Sequence, residues 1–152
     1  MESRNNKNTR NEGITLPKSI ALEELLVQSV EDQMLSDVPV GSFLSGGIDS
    51  TLITALMQKI TKIPVKSFSI GFQEDHYDES VFATEVANYL GTEHTNFVIT
   101  ETEALQAIPH ILEIYDEPFA DSSQIPTQIL CSKAKKFVTV ALTGDGADEL
   151  FG

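Results

Sequence analysis

The sequence has little cysteine, little positive charge and no long apolar run. Cys131 is its single cysteine, which excludes an internal disulfide framework and a multi-cysteine zinc site. Its 10 lysines and arginines face 23 aspartates and glutamates, a formal net charge of −13, and this acidity argues against general binding of nucleic-acid phosphates. No apolar run approaches the roughly 18 residues of a membrane helix. The first 13 residues also contain no apolar signal-peptide core, so we expect a cytoplasmic protein without a membrane or nucleic-acid partner.

What remains is the composition of one globular domain, with 41% hydrophobic and 22% charged residues in 152, which is enough for a single core. The first residues are rich in asparagine and charge and lack periodicity, so residues 1–18 are predicted to be a disordered tail or linker remnant. Residues 19–152 would then form the folded domain. Cys131 lies in a helical pattern within it, which favours a buried, unreactive thiol.

Helical and strand patterns alternate along residues 19–152. Apolar residues recur at helical spacing and predict helices at residues 19–35, 51–60, 79–90 and 124–136. Short apolar or alternating runs predict strands at residues 38–44, 65–72, 94–99 and 137–142. This order, with connections long enough for right-handed crossovers, is typical of an α/β fold, a parallel twisted sheet with helices on both faces.

The segment after residue 99 carries one signal that starts a helix and one that breaks it. Thr100 and Glu103 form a capping-box pattern. Pro109 follows within the same helical stretch. Because proline removes a backbone donor and crowds the preceding turn, we expect a kink or two short helices there.

Two glycine-rich segments follow predicted strands. Residues 45–50 read SGGIDS after the first strand, and residues 143–149 read TGDGADE after the last one. In parallel α/β sheets a ligand binds beyond the carboxyl ends of the strands, where the strand order reverses. We therefore expect the two segments to meet in space, although nearly a hundred residues separate them.

The SGGIDS segment has the chemistry of an oxyanion cradle. Its glycines let the backbone approach a ligand closely, Ser45 and Ser50 add hydroxyl donors, and the following helix presents its positive end. It lacks the lysine of the usual phosphate-binding loop and the third glycine of the dinucleotide fingerprint. Asp49 would repel a phosphate unless a cation lay between them, which implies Mg²⁺. A tight turn with an ordinary serine or aspartate cap is the alternative.

Five motifs together carry a family resemblance: SGGIDS, FSIGF, YDES, DEPFADSSQIPT and GDGADELFG, in this order. They resemble the synthetase domain of glutamine-dependent asparagine synthetases, of the ATP pyrophosphatase (PP-loop) superfamily, over roughly residues 19–152. The resemblance implies the adenine nucleotide alpha hydrolase-like (PP-loop) fold. It also implies a two-step reaction: aspartate attacks the α-phosphorus of ATP to give β-aspartyl-AMP and pyrophosphate, and ammonia then gives asparagine and AMP.

The same resemblance assigns nucleotide and metal ligands by motif position. The pyrophosphate cradle and its neighbour would comprise Ser45, Gly46, Gly47, Ser50 and Gly144. Mg²⁺ would be coordinated by Asp49 and Asp148. Backbone groups around Ile70 would contact adenine, and Gly71 would permit the close approach. Core packing is a role for Ile70 that is compatible with this one.

Two further assignments concern ammonia and the acceptor. Asp145 occupies the position of a family glutamate thought to handle protons of the attacking ammonia, and it is one methylene shorter. Asp121 and Ser122 fall in a segment that lies near the acceptor amino acid in the family, where an exposed carboxylate could bind an α-ammonium group. An acidic loop without a binding role is the alternative for Asp121.

The chain lacks features that complete the family's enzymes. Glu2 stands where glutamine-using members expose a nucleophilic cysteine, and few residues precede SGGIDS in this sequence, so we expect that it does not hydrolyse glutamine itself. We therefore expect ammonia to be free or to come from a glutaminase domain or subunit in the full-length protein. The sequence also ends within a stretch that resembles the family's ELFGGY, which predicts a fragment with uncovered apolar faces.

Three other functions stay open. A related amidotransferase could adenylate another carboxylate, on a sugar acid or a β-lactam precursor. GMP and NAD synthetases share only the SGG loop and lack the GDGADELFG partner. A non-catalytic nucleotide-binding remnant is the third alternative, and the presence of Asp49 and Asp148 argues against it.

Overall fold

The computed structural model describes residues 16–73, 80–117 and 121–147. Within these ranges the helices are α1 (Leu16–Met34), α2 (Ile48–Ile60), α3 (Ser80–Leu90), α4 (Glu101–Ile114) and α5 (Gln124–Ala134). The strands are β1 (Val40–Phe43), β2 (Lys66–Phe72), β3 (Glu93–Ile99) and β4 (Val140–Leu142). None of these helices is long and apolar enough to cross a lipid bilayer.

These strands form one parallel sheet in the order β3-β2-β1-β4. The chain runs outward from β1 to β3 and then crosses back, so that β4 pairs with the other side of β1. The strand order therefore reverses beside β1, and the carboxyl ends of β1 and β4 flank the point of reversal. The predicted α/β fold with a parallel sheet is confirmed.

Side chains that alternate along the strands build a core on each face of the sheet. Val40 of β1 joins a cluster in which α1 and α2 pack around Met57. Phe43, on the opposite face of β1, joins the cluster in which α5 packs on Phe68. The Phe68 ring stacks on that of Phe97, with the centroids 6.1 Å apart. Helices thus cover both faces, as predicted, and burial of their apolar sides holds them there.

The last strand and the helix before it are shorter than predicted. α5 ends at Ala134, and β4 begins at Val140. Between them residues 135–137 form a turn, in which the Phe137 ring lies 5.8 Å from that of Phe68. The apolar character of Phe137 therefore serves the core under α5 and does not extend the strand.

The capping box at the start of α4 is confirmed, and Pro109 does not divide the helix into two. Thr100 Oγ1 accepts from the Glu103 amide at 3.1 Å, and Glu103 Oε2 accepts from the Thr100 amide at 3.0 Å. α4 nevertheless continues through Pro109 as one helix, so the expectation of two short helices is wrong. Pro109 and Leu105, whose carbonyl loses its partner, lie on the exposed side of the helix, where water can hydrogen-bond that carbonyl.

Candidate nucleotide-binding site

The SGGIDS segment forms a turn closed by its two serines. α2 begins at Ile48 with Gly47 as the N-cap, so Ser50 lies in the first helical turn, whereas the sequence pattern predicted a helix only from residue 51. Ser50 Oγ accepts from the Ser45 amide at 3.1 Å and lies 2.9 Å from Ser45 Oγ. Ser45 Oγ in turn accepts from the Gly47 amide at 3.2 Å. These bonds fix the turn over the positive end of α2.

The first glycine of the pair is required by conformation and by a close contact. Gly46 has a φ of 87°, which side chains disfavour. A Cβ placed on it would also lie 2.8 Å from the Ala83 amide nitrogen and 2.8 Å from Phe82 Cβ. Gly46 is therefore pressed against the start of α3. Gly47, by contrast, has an ordinary φ of −70° and is exposed, so its glycine mainly leaves the backbone open to a ligand.

The segment that begins at Thr143 packs directly on this turn. A Cβ on Gly144 would lie 2.5 Å from the Ser50 nitrogen and 2.7 Å from the Asp49 carbonyl carbon. The contact follows from the sheet, because β4 pairs with β1 and Leu142 is in register with Ser42. The prediction that the two glycine-rich segments meet is confirmed for the part of the second segment that is described, residues 143–147.

A small cavity of about 300 Å³ lies where the two segments meet. Its lining consists of Ser45, Gly47, Asp49, Ser50, Gly144, Asp145 and Gly146. Residues that carry two hydroxyls and two carboxylates therefore surround one space. Asp148, the second predicted metal ligand, lies outside the described residues.

A second cavity of about 1160 Å³ opens from the same place toward α4 and α5. The two cavities share Ser45, Ser50, Gly144 and Asp145. Beyond these residues the larger cavity becomes mainly apolar, with walls from Ile70, Ile99, Ala104, Pro126 and Leu130. A polar end joined to an apolar end suits a ligand that carries phosphates on one side and a flat heterocycle on the other.

The remaining predicted residues divide between the cavity and its surroundings. Ile70 and Ser122 line the large cavity. Gly71 is buried in β2 opposite Val98 and is not among the lining residues. Asp121, which precedes Ser122 in the chain, is exposed, and its Oδ1 accepts from the Ser123 amide at 2.8 Å. That hydrogen bond, with a second from the Ser123 side chain, lowers the pKa of the Asp121 carboxyl.

Part of the cavity wall was not predicted. Thr100 and Glu101, at the start of α4, line it together with Cys131 of α5. The capping box at the carboxyl end of a parallel strand was a usable signal for this wall, because such strand ends surround the site. The prediction of a buried thiol is wrong, since Cys131 is exposed on the cavity side of α5. Partial desolvation still raises the pKa of its thiol.

Comparison with known proteins identifies the family. The model of the family described as asparagine synthase matches residues 21–152. The chain belongs to the asparagine synthase family. The motifs that join at the small cavity, SGGIDS and the start of TGDGADE, both lie inside the matched region.

Curated members of the asparagine synthase family share substantial sequence with this chain. It is 44% identical to glutamine-hydrolysing asparagine synthetase 1 of Bacillus subtilis over 131 residues, covering 86% of this chain and 21% of that protein. It is 34% identical to glutamine-hydrolysing asparagine synthetase B of Escherichia coli over 148 residues, covering 86% of this chain and 26% of that protein. The chain thus spans about a quarter or less of the length of the relatives it matches.

The fold also resembles that of solved synthetases. The NH₃-dependent NAD synthetase from Campylobacter jejuni superposes with a TM-score of 0.60, covering 88% of this chain and 60% of that one. The two sequences are 19% identical, so this likeness shows the fold alone. It agrees with the PP-loop architecture expected of an asparagine synthase family member.

Proposed function

We propose that this chain is the ATP-dependent part of an amide-forming ligase, which activates the side-chain carboxylate of aspartate for attack by ammonia. One observation carries the proposal: Gly144 packs against Asp49 and Ser50, so the two family motifs form one polar site. That site opens into a cavity large enough for a nucleotide and a small acceptor.

The SGGIDS turn would bind the phosphates of ATP, and the apolar wall of the large cavity would bind its adenine. The first N–H groups of α2 have no partner within the helix, and with the Ser45 and Ser50 hydroxyls they would hold the departing pyrophosphate. The adenine would lie between Ile70 and the α5 residue Leu130, on the apolar wall. This arrangement would hold the α-phosphorus near Gly144, which lines both cavities.

The residues present fit a magnesium ion bound with the nucleotide. Among the described residues no group of three His, Cys, Asp or Glu side chains could hold a metal. Mg²⁺ is usually bound through one or two carboxylates plus substrate phosphates, and Asp49 and Asp145 are among the residues that line the small cavity. Asp49 would hold the ion, with Asp148 as the proposed second ligand. When bound, the ion stabilises the negative charge that grows on the leaving pyrophosphate.

Asp145 and Ser122 would serve the second half-reaction and the acceptor. Asp145 lines both cavities, so its carboxylate can receive a proton from ammonia that attacks a carbonyl held between them. Ser122 lines the larger cavity, and its hydroxyl would contact the acceptor. Since the curated relatives hydrolyse glutamine by name, we propose that a glutaminase domain or subunit supplies the ammonia.

Calorimetric titration with ATP, with and without Mg²⁺, tests the proposal. We expect Mg²⁺-dependent binding that is lost in Asp49→Asn and retained in Asp37→Asn, a matched control at an exposed aspartate. Pyrophosphate release should then depend on aspartate. Release with a different carboxylate would indicate a related amidotransferase, and binding without any release would indicate a nucleotide-binding module. Absence of binding in a chain shown to be folded contradicts the proposal.

A further inference from the structure

A continuous row of hydrogen bonds crosses the α3 side of the sheet and ends at the candidate site. Its centre is His94 of β3, a half-buried imidazole with a hydroxyl on each ring nitrogen. The successive contacts are Thr92 Oγ1 to Ser67 Oγ at 2.8 Å, Ser67 Oγ to His94 Nδ1 at 2.9 Å, His94 Nε2 to Ser69 Oγ at 3.1 Å, Ser69 Oγ to Asn96 Oδ1 at 3.0 Å, and Asn96 Nδ2 to Ser80 Oγ at 2.8 Å.

The direction of these bonds fixes the tautomer of His94. Ser69 donates its one hydroxyl hydrogen to Asn96 Oδ1, so it must accept from His94 Nε2–H. In the neutral ring Nδ1 is then an acceptor, and Ser67 donates to it. Burial without charge fits this state, because desolvation lowers the pKa of His94.

The far end of the row lies on α3, the helix against which the SGGIDS turn packs. Ser69 and Ser80 line the large cavity, and Ser80 is the first residue of α3. Three residues later, the Ala83 nitrogen is the atom that a Cβ on Gly46 would meet at 2.8 Å. Ala83 also packs on Leu44, the last residue before the turn. The position of the α3 start therefore sets the position of Gly46.

We propose that His94 is a positioning residue for the turn formed by SGGIDS, residues 45–50. Its neutral Nε2–H donates to Ser69, and through Asn96 it ties the first turn of α3 to β2, so that Gly46 has one fixed location. The inference rests on the proposed nucleotide function, because it assigns His94 a role in holding the ATP-binding turn. His94 itself does not line either cavity, so its effect passes through the turn.

Two matched pairs of variants test the proposal by MgATP titration. Asn96→Ala removes the hydrogen bonds that join Ser69 to Ser80, at the α3 end of the row. Thr92→Ala removes only the bond at the opposite end, so Ser67 can still donate to His94. His94→Gln can place an amide donor at the Nε2 position, whereas His94→Asn reaches only the Nδ1 position. We expect MgATP affinity to fall about tenfold in Asn96→Ala and His94→Asn, the equivalent of one hydrogen bond. The MgATP affinities of Thr92→Ala and His94→Gln should stay within about twofold of the wild-type affinity, when the variants are compared at temperatures of equal thermal stability. Equal affinities within either pair overturn the proposal.

Amide hydrogen exchange of the ligand-free chain separates this inference from the proposed function. His94→Asn should speed exchange at the Gly47 and Ala83 amides, and His94→Gln, which keeps a donor at the Nε2 position, should leave both unchanged. If the wild-type chain does not bind MgATP, the proposed function fails, and the exchange result still decides the role of His94. Equal exchange at Gly47 in the two variants overturns it.

Discussion

The backbone of Gly144 lies against the first turn of α2 so closely that a Cβ there would stand 2.5 Å from the Ser50 nitrogen. The residue thus joins two segments that are distant in the chain, and it does so at the point where the strand order reverses. The glycine is needed here for close approach of two backbones.

Gly144→Ala should separate the two segments. Relief of the clash with Ser50 and Asp49 requires movement of one backbone or the other, an overpacking cost of about 1–3 kcal/mol. The free energy of unfolding, measured in urea, should fall by that amount, and MgATP affinity should be lost with it. Gly91→Ala is the control, since Gly91 has a φ of 73°, a Cβ added to it would meet no atom within 4 Å, and it lines neither cavity. That variant should show only backbone strain, and an equal loss of affinity in it would contradict the explanation.

Asp145→Asn should uncouple the two proposed half-reactions. The amide cannot accept a proton from ammonia, so amide formation should fall by about 10²–10⁴-fold, while aspartate-dependent pyrophosphate release continues. Asp145→Glu, with one more methylene, should retain amide formation. Assays of pyrophosphate and asparagine on the same samples separate the steps, and parallel loss of both in Asp145→Asn would argue for a role in nucleotide or metal binding instead.

Lys133→Met should make the fold less sensitive to acid, starting from a lower stability at neutral pH. The side-chain hydrogen bond from Lys133, at 2.8 Å, is the main cause that lowers the pKa of Glu103 from 4.5 to about 2, and the Thr100 amide adds to it. The stabilisation is therefore complete above pH 4.5 and is lost as the pH falls toward 2. Urea midpoints measured across this range should differ most between wild type and variant at the high-pH end. A constant difference would contradict the linkage.

His94 should destabilise the fold in mild acid. Because burial lowers its pKa below 6.5, the unfolded chain takes up a proton more readily than the folded one. The contribution of neutral His94 to the free energy of unfolding is fully present above pH 6.5 and is lost as the pH falls through the pKa of the folded state. Between about pH 7.5 and pH 5 the thermal midpoint of wild type should fall more than that of His94→Gln, which has no imidazole to protonate. Parallel curves would show that His94 does not titrate in this way.

The sequence predicted the elements that periodicity and caps define, and it located the meeting of SGGIDS with residues 143–147. Both follow from local rules: apolar spacing sets helices and strands, and parallel strands end at one edge. The helix start at Ile48 was missed because glycine and serine carry no apolar period. The α4–α5 wall of the cavity was missed for another reason. Residues such as Glu101 and Cys131 come to line one cavity only through helix packing, which single-residue patterns do not encode.

The attachment of β4 to the sheet has a thermodynamic consequence. This strand has three residues, in register with Val40, Gly41 and Ser42 of β1 and with no further strand beyond it among those described. A ligand that contacts both Ser50 and Gly144 would bridge the carboxyl ends of β1 and β4. Its binding energy would then also hold β4 in place, adding about 2.7 kcal/mol at a hundredfold excess over Kd. The pairing of β4 with β1 would therefore become more stable as the ligand concentration increases.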